Sequence, residues 1–470
     1  MKVEFVNPPI QAGINREGRC MVKKTAWGFI LPPITLAYSA GVVRECGINV
    51  KIEDCVADEI SLDILRHRIK AFQPDLIIIN TVTPSILNDV RIIDIIKKDN
   101  PEIKIGLIGI HSSVLTNETF TLSRNIDYII RGEPEFIIRD LVLALRDKRS
   151  VNNVKGLSYR KNNEIFHNPN RGFINDLDSL PFPAWDLINT KNYRLPLSGD
   201  QFLLISPSRG CPYQCIFCND KIYYGEKIRI RSPQRVVDEI EWAINNFRIR
   251  NFHFWTESFT HQKQFALDIL DEILRRNLNI KWTCNSRVDN VDLELLTKMK
   301  TAGCWQISYG VESGNQFILD QAKKHITLKQ SQQAVLLAKK AGLEVSIQCI
   351  IGLLGETYQT ALDTIRFAKN LHADYAQFYC AVPFPGSELF QIAEKNKQII
   401  VRDWSRFEQS QSVLKLDSLT PKEIEELRHR AYQEYYLNYH QVLVILKKVI
   451  KFSTINNLIK IVKQFVKWIE

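Results

Sequence analysis

Three cysteines stand close together in Arg209-Gly210-Cys211-Pro212-Tyr213-Gln214-Cys215-Ile216-Phe217-Cys218, a C-x3-C-x2-C spacing. In a reducing compartment so tight a group reads as metal ligands before it reads as disulfide partners. A structural zinc site would want a fourth Cys or His nearby, but the next cysteine is Cys284, and His253 and His261 lie far along the chain. Three thiolates can instead hold a four-iron, four-sulfur cluster while one iron keeps no protein ligand, and that open position is what an inner-sphere reactant requires. Cys211, Cys215 and Cys218 are therefore the expected metal ligands.

The cysteine loop follows the first of six strands expected near residues 202–206, 252–255, 281–284, 306–308, 345–349 and 376–379, separated by amphipathic stretches of helix length. Such a series curves into a partial (β/α)6 barrel, here over residues 201–399, with its active site at the C-terminal ends of the strands. Glu257, Arg287, Glu312, Gly314 and Gly352 all fall just after successive strands. Each alone could be a solvated loop residue; their convergence on one face argues for a site.

Residues 1–150 carry a separate β/α pattern, with strands expected at 3–6, 50–54, 76–80, 105–108 and 128–130 and helices at 35–46, 62–72, 86–98, 114–122 and 136–145. This predicts a doubly wound parallel sheet. Thr81, Thr83 and Ser85 follow its third strand and Gly109 and His111 its fourth, so they would line the crevice where such sheets bind ligands. No G-x-G-x-x-G follows the first strand, which disfavours a dinucleotide. Residues 151–200 read as a linker holding a hairpin at Asn162-Asn163, and residues 400–470 as a helical, basic C-terminal region.

The motifs resemble two joined families. Cys211, Cys215 and Cys218, with aromatic Phe217 before the last, look like the signature of the radical S-adenosylmethionine (SAM) enzymes. That resemblance implies that Phe217, Glu257, Arg287, Glu312, Gly314 and Gly352 contact SAM. Glu257 would meet its amino group, although Thr256 replaces the acid usual beside it. Residues 1–150 resemble the cobalamin-binding domain fused to one class of these enzymes, through Pro8-Pro9, Pro32-Pro33, Glu53-Asp54, Ile108-Gly109-Ile110-His111 and Arg131-Gly132-Glu133-Pro134-Glu135. Thr81, Thr83, Ser85, Gly109 and His111 would then face cobalamin. The D-x-H-x-x-G motif that supplies a lower cobalt ligand in other cobalamin domains is absent. Over the whole chain the similarity runs towards the branch acting on hopanoid lipids or porphyrin esters.

With 470 residues, 45% of them hydrophobic, the chain is long enough for about three globular units. The first nine residues hold Glu4 and end on Pro8-Pro9, so they read as a strand rather than a signal peptide, and no uninterrupted apolar run reaches the ~18 residues of a membrane span. A cytoplasmic location is expected. The net charge is +10, and residues 441–470, with six lysines and one glutamate, supply +5 of it. Leu458, Val462, Phe465, Val466 and Ile469 share one helical face there, opposite Lys460, Lys463 and Lys467, a pattern that fits packing on the barrel or peripheral contact with an anionic membrane. No nucleic-acid partner is expected, because the surplus lacks interleaved stacking aromatics.

Together these features predict an enzyme that uses a [4Fe-4S] cluster, SAM and cobalamin, fed by a low-potential donor such as flavodoxin or ferredoxin. It would methylate, cyclise or rearrange an unactivated carbon of a small molecule, a lipid or tetrapyrrole or another natural product. The alternatives are a methylthiotransferase-like RNA-modifying enzyme and an iron–sulfur electron carrier or sensor. The first would carry further N-terminal cluster cysteines, whereas Cys20, Cys46 and Cys55 lie widely apart; the second would have no use for Glu257, Arg287 and Glu312.

Overall fold

The computed structural model describes residues 1–10, 16–17, 30–195, 198–438, 441–442 and 444. The lysine-rich faces expected beyond residue 444 lie outside the described residues.

Strands β1 (Lys2–Asn7), β2 (Asn49–Asp54), β3 (Leu76–Asn80), β4 (Lys104–Ile108) and β5 (Tyr128–Ile130) form a parallel sheet in the order β2-β1-β3-β4-β5. β3 is buried along its whole length, as a strand covered by helices on both faces must be, which explains its unbroken Leu-Ile-Ile-Ile run. The order reverses between β1 and β3, and the crevice of such a sheet opens beyond the strand ends there. The expected hairpin is present as β6 (Leu157–Lys161) and β7 (Glu164–His167), and both residues of its Asn162-Asn163 turn take positive φ. It pairs antiparallel with β5, so the first sheet draws two strands from beyond residue 150.

The second sheet is wholly parallel and runs in chain order: β8 (Phe202–Ile205), β11 (Asn251–Phe254), β12 (Lys281–Ser286), β13 (Cys304–Glu312), β14 (Glu344–Ile351) and β15 (Tyr375–Cys380). β8 and β15 do not pair with each other, which leaves the barrel open. A short ladder, β9 (Ser208–Arg209) with β10 (Arg229–Ile230), follows β8 and frames the cysteine loop. Residue preferences at the helix ends match this layout: Ser232 caps a helix opened by Pro233, and Thr327–Gln330 and Thr420–Glu423 form capping boxes.

Beyond Ile400 the chain runs irregularly through one 3-10 turn, Trp404–Arg406, before the helix Pro421–Tyr436. That helix lies on β15. The Tyr432 hydroxyl accepts from the Phe378 amide at 2.9 Å, and Tyr436 accepts from the Ala376 amide at 3.0 Å while donating to its carbonyl at 2.7 Å. These phenols satisfy strand groups that have no neighbouring strand. One hydrophobic core runs from Val3 of the first sheet to Tyr436 of this helix, so the two sheets are not packed independently.

Candidate active site

The cysteine loop is shaped by backbone before chemistry. Gly210 sits at φ +95°, and a Cβ there would overlap the Lys227 carbonyl, so only glycine brings the chain off β9 at this angle. The Cys211 amide then donates to the Gly225 carbonyl at 3.1 Å. Ile216, 1% exposed, is the anchor of the loop: its amide donates to the Ala322 carbonyl at 3.1 Å and its carbonyl accepts from the Leu389 amide at 2.8 Å. Fixing Ile216 leaves Cys211, Cys215 and Cys218 half-buried around it, with the Cys218 Sγ 3.5 Å from Asp220 Oδ2. Among the described residues no three Cys, His, Asp or Glu side chains converge on a single ion. A cubane spreads three thiolates over three irons and needs no such convergence, and the all-sulfur donor set fits it.

Ile216 belongs to a small apolar cluster with Val82, from the loop after β3, and Phe384, from the loop after β15; Phe217 packs on the same cluster. The crevice side of the first sheet therefore abuts the cysteine loop. A second link is ionic. Arg209, two residues before Cys211, donates to Glu133 at 3.2 Å and to Glu135 at 2.7 Å, and Arg229, its partner in the β9–β10 ladder, reaches Glu133 at 2.7 Å. All four are at most 8% exposed. Arg209 also lies over the rings of Tyr38 and Tyr224, at 5.3 and 5.1 Å. The Arg131–Glu135 motif that marks the first domain thus grips the base of the cysteine loop.

On the opposite side of the loop, Arg287 sits 3.6 Å from the Tyr213 ring and is held by a bidentate pair with Asp289, 2.9 Å on both arms, and by the Lys324 carbonyl at 2.8 Å. The Tyr213 hydroxyl accepts from Asn290 at 2.8 Å and meets His261 Nδ1 at 3.2 Å. Burial acts to lower the pKa of the Arg287 guanidinium, but Asp289 and then the Cys215 thiolate outweigh it and raise it. Glu312 ends β13 at φ +65°, just beyond a register shift in the β13–β14 ladder, and this kink aims its carboxylate at Lys324 Nζ, 2.6 Å away. Lys324 is 6% exposed; burial would discharge it, yet Glu312 and Cys215 keep it charged and raise its pKa. Sequence reasoning missed this lysine, which stands in a run, Lys323-Lys324-His325, that looks solvated.

The remaining expected residues serve differing ends. Glu257 stands half-buried after β11, and its neighbour Thr256 hydrogen-bonds Ser208 at 2.6 Å. A Cβ on Gly314 would press into Thr364 and Phe367, so its bare backbone admits the helix Tyr358–Asn370. Gly352, at φ +92°, packs on Ile424 and donates its amide to Glu356, whose burial pushes its pKa up to about 8.

In the first domain the expected crevice residues do come together. Thr81 donates to the Ile108 carbonyl at 2.9 Å, and a Cβ on Gly109, at φ +123°, would overlap the Thr81 carbonyl. Ser85 bonds Asp89, and both are held by Arg16, a residue of the connection after β1 whose guanidinium is 2.6 Å from the Asp89 carboxylate. His111 stands on the helical turn Ile110–Val114, 1% exposed, with Nδ1 3.3 Å from Thr83 Oγ1 and its ring edge-on to Trp404 at 5.0 Å. Burial takes its pKa down to about 4, so the ring is neutral, and among the described residues Nε2 is buried without a hydrogen-bond partner. Small strand-end residues and an orphaned neutral imidazole fit a bulky ligand face at this point.

Residues 205–368 match the radical SAM superfamily and residues 24–142 the B12 binding domain. The chain is 34% identical over 437 residues to the uncharacterized methyltransferase PH0819 of Pyrococcus horikoshii, covering 93% of each protein. This chain belongs to the cobalamin-dependent radical SAM enzymes. It is also 30% identical to the anaerobic magnesium-protoporphyrin IX monomethyl ester cyclase of Rubrivivax gelatinosus, over 87% of this chain and 74% of that one. Two solved radical SAM enzymes share its fold. OxsB, with aqua-cobalamin and SAM bound, has a TM-score of 0.74 at 18% identity, over 100% of this chain and 71% of that one. TsrM from Kitasatospora setae, with cobalamin and a [4Fe-4S] cluster bound, has a TM-score of 0.71 at 18% identity, over 93% and 88%. As a member of this family the chain is an enzyme that uses a [4Fe-4S] cluster, SAM and cobalamin, and neither alternative function is favoured. Among the described residues no helix is long and apolar enough to cross a membrane.

Proposed function

We propose that this enzyme transfers a methyl group to an unactivated carbon of a small molecule. The observation that carries the proposal is the double seam between the cobalamin domain and the cysteine loop: Val82 and Ile216 share one apolar cluster, and Glu133 and Glu135 pair with Arg209. A methyl carrier and a radical source must face one substrate in fixed register, and the buried ion pairs at the base of the loop, with the shared apolar cluster, supply that rigidity. When bound, the cluster supplies the electron that cleaves the SAM C–S bond to a deoxyadenosyl radical, and cobalamin carries the methyl group.

In this assignment Cys211, Cys215 and Cys218 hold the cluster. Arg287 and Lys324, both cationic beside Cys215, offer charge to the SAM carboxylate; Glu257 and Glu312 serve its amino and ribose groups, and Phe217, Gly314 and Gly352 border it. Thr81, Thr83, Ser85, Gly109 and His111 face cobalamin. Methylation is preferred over cyclisation because the 34%-identical relative, matched along nearly its whole length, is described as a methyltransferase. A low-potential reductant completes the system.

Anaerobic reconstitution with iron and sulfide, followed by SAM, cobalamin and reductant, should yield deoxyadenosine, and Cys215→Ala should abolish it. Undiminished deoxyadenosine in that variant would sink the assignment. The proposal extends to peripheral membrane contact through residues 441–470; full-length protein should float with anionic liposomes and a chain ending at residue 440 should not, and equal flotation of the two removes that contact.

A further inference from the structure

The underside of the barrel, where its strands begin, is basic. Arg248 follows the helix Pro233–Phe247, Arg250 directly precedes β11, and Lys281 opens β12. Lys300 lies in the last turn of the helix Leu293–Thr301, and Lys340 ends the helix Leu328–Lys340. All five are exposed, and among the described residues none forms an ion pair. Strand pairing joins them into one belt. The Lys281 amide donates to the Arg250 carbonyl at 2.8 Å, and a Cβ on Gly342, two residues past Lys340, would lie 3.7 Å from Lys300 Cε. The carboxylates nearby are taken: Asp374 pairs with Lys339 at 2.8 Å, Asp271 with Lys298 and Glu272 with Arg276 at 2.6 Å each, and Glu344 accepts from the Tyr375 hydroxyl at 3.1 Å. Cations at helix C-termini complement the helix dipole, which accounts for Arg248, Lys300 and Lys340. It does not account for Arg250 and Lys281, which stand at strand starts.

The basic C-terminal segment begins at the same face. The helix Pro421–Tyr436 runs along β15 towards its first residues, where the Tyr435 hydroxyl donates to the Ala373 carbonyl at 2.6 Å and Gln441 Nε2 donates to the same oxygen at 2.7 Å. Leu437, 61% exposed, and Val442, 37% exposed, stand at that end. Residues 441–470 then add six lysines against one glutamate.

Exposed aliphatic groups beside unpaired cations are the composition that settles among anionic lipid headgroups. An acidic electron carrier fits this face less well, because β12, six residues long, holds it roughly 20 Å from the rim that carries the cysteine loop. RNA also fits less well. The exposed aromatics Phe166, Phe173, Phe317 and Tyr358 belong to the hairpin, the linker and the helices that start beyond the opposite strand ends, so the underside offers no stacking platform. We propose that this underside docks on an anionic lipid membrane beside the C-terminal segment, so that the strand ends carrying the cysteine loop point away from the lipid into water. The inference rests on the peripheral membrane contact proposed above and extends it from the tail to the barrel.

The test floats full-length reconstituted protein with phosphatidylcholine vesicles made with or without phosphatidylserine. Arg250→Glu, Lys281→Glu and Lys340→Glu together should cut the bound-to-free ratio on the anionic vesicles about tenfold or more. The same reversal at Lys98, Lys148 and Lys161, exposed lysines around the first sheet, removes as much net charge and should leave the ratio within about twofold. A second measurement needs no variant: acetylation of the wild-type protein by acetic anhydride, read by mass spectrometry, should be slowed at Lys281, Lys300 and Lys340 by the anionic vesicles alone and unchanged at Lys98, Lys148 and Lys161. An equal fall in the two reversed proteins, equal protection of the two lysine sets or no protection overturns the inference. Protection by single-stranded RNA and not by vesicles overturns it in favour of a nucleic-acid site. A reversed underside that binds as wild type while the chain ending at residue 440 loses binding overturns the underside and spares the tail; equal flotation of the full and shortened chains, with the protection intact, overturns the tail and spares the underside.

Discussion

Arg209→Gln tests the seam that joins the two cofactor domains. Arg209 is 3% exposed, and its loss acts unequally on its two partners. Glu133 keeps Arg229 at 2.7 Å, whereas Glu135, 1% exposed, has only Arg209 as an ion-pair partner among the described residues. Removing one member of a buried pair costs about 3–5 kcal/mol, because the remaining charge stays desolvated. With an unfolding entropy near 2.1 cal/mol/K per residue, 470 residues give about 1 kcal/mol/K, so the melting temperature should fall by roughly 3–5 °C if the chain unfolds as one unit. An orphaned buried carboxylate takes up a proton. The folded variant then binds more protons than its unfolded chain, and its deficit relative to wild type should shrink as pH falls from 8 to 5. Arg209→Gln with Glu135→Gln should recover about 2 kcal/mol relative to the sum of the single changes. Scanning calorimetry at several pH values, with iron content measured alongside because Cys211 is two residues away, makes the assay. A fall below 1 °C, a pH-independent deficit, or strict additivity would refute the account of a buried, coupled clamp.

Gly109→Ala forces a Cβ into the Thr81 carbonyl at φ +123° and should cost more than the ~1 kcal/mol expected at Gly47, where φ is +72° and nothing lies within 4 Å; it should release cobalamin on gel filtration while the iron content holds. The pH–stability curve should fall on both flanks. His111 and His253 are held near a pKa of about 4, so the unfolded chain binds more protons below pH ~6.5, and each should cost about 2 kcal/mol by pH 5. Glu356, raised to about 8, favours folding while protonated, so that contribution is lost as pH climbs from about 4.5 through 8; Glu356→Gln should flatten the alkaline flank by up to ~4 kcal/mol, and an unchanged flank would contradict the assigned burial.

Local chemistry is legible in the amino-acid sequence. The six barrel strands can be read there because their outer faces must be apolar and their ends carry turns and caps, and Asn162-Asn163 marks a hairpin because both residues tolerate positive φ. The cysteine spacing is equally local. Lys324 is not legible in this way, since nothing in Lys323-Lys324-His325 says which lysine is buried; its partner is chosen by the kink at Glu312. Glu133 and Arg209 lie 76 residues apart, and Trp404 reaches His111 from the far end of the chain. Periodicity carries no information about such pairings, which arise only when two sheets settle on one core. For the same reason Gly314 and Gly352 take on a second meaning with the helices in place, as seats for Phe367 and Ile424.

The shared core bears on how the enzyme can work. Val3 and Tyr436 lie in one hydrophobic cluster, and four buried charges, Glu133, Glu135, Arg209 and Arg229, span the same junction. Separating the sheets to admit a substrate would expose both at once, at a cost far above the few kcal/mol available to a routine opening. Substrate must therefore enter without that separation, and also without passing the free edge of β15, whose backbone groups are held by Tyr432 and Tyr436 of the covering helix.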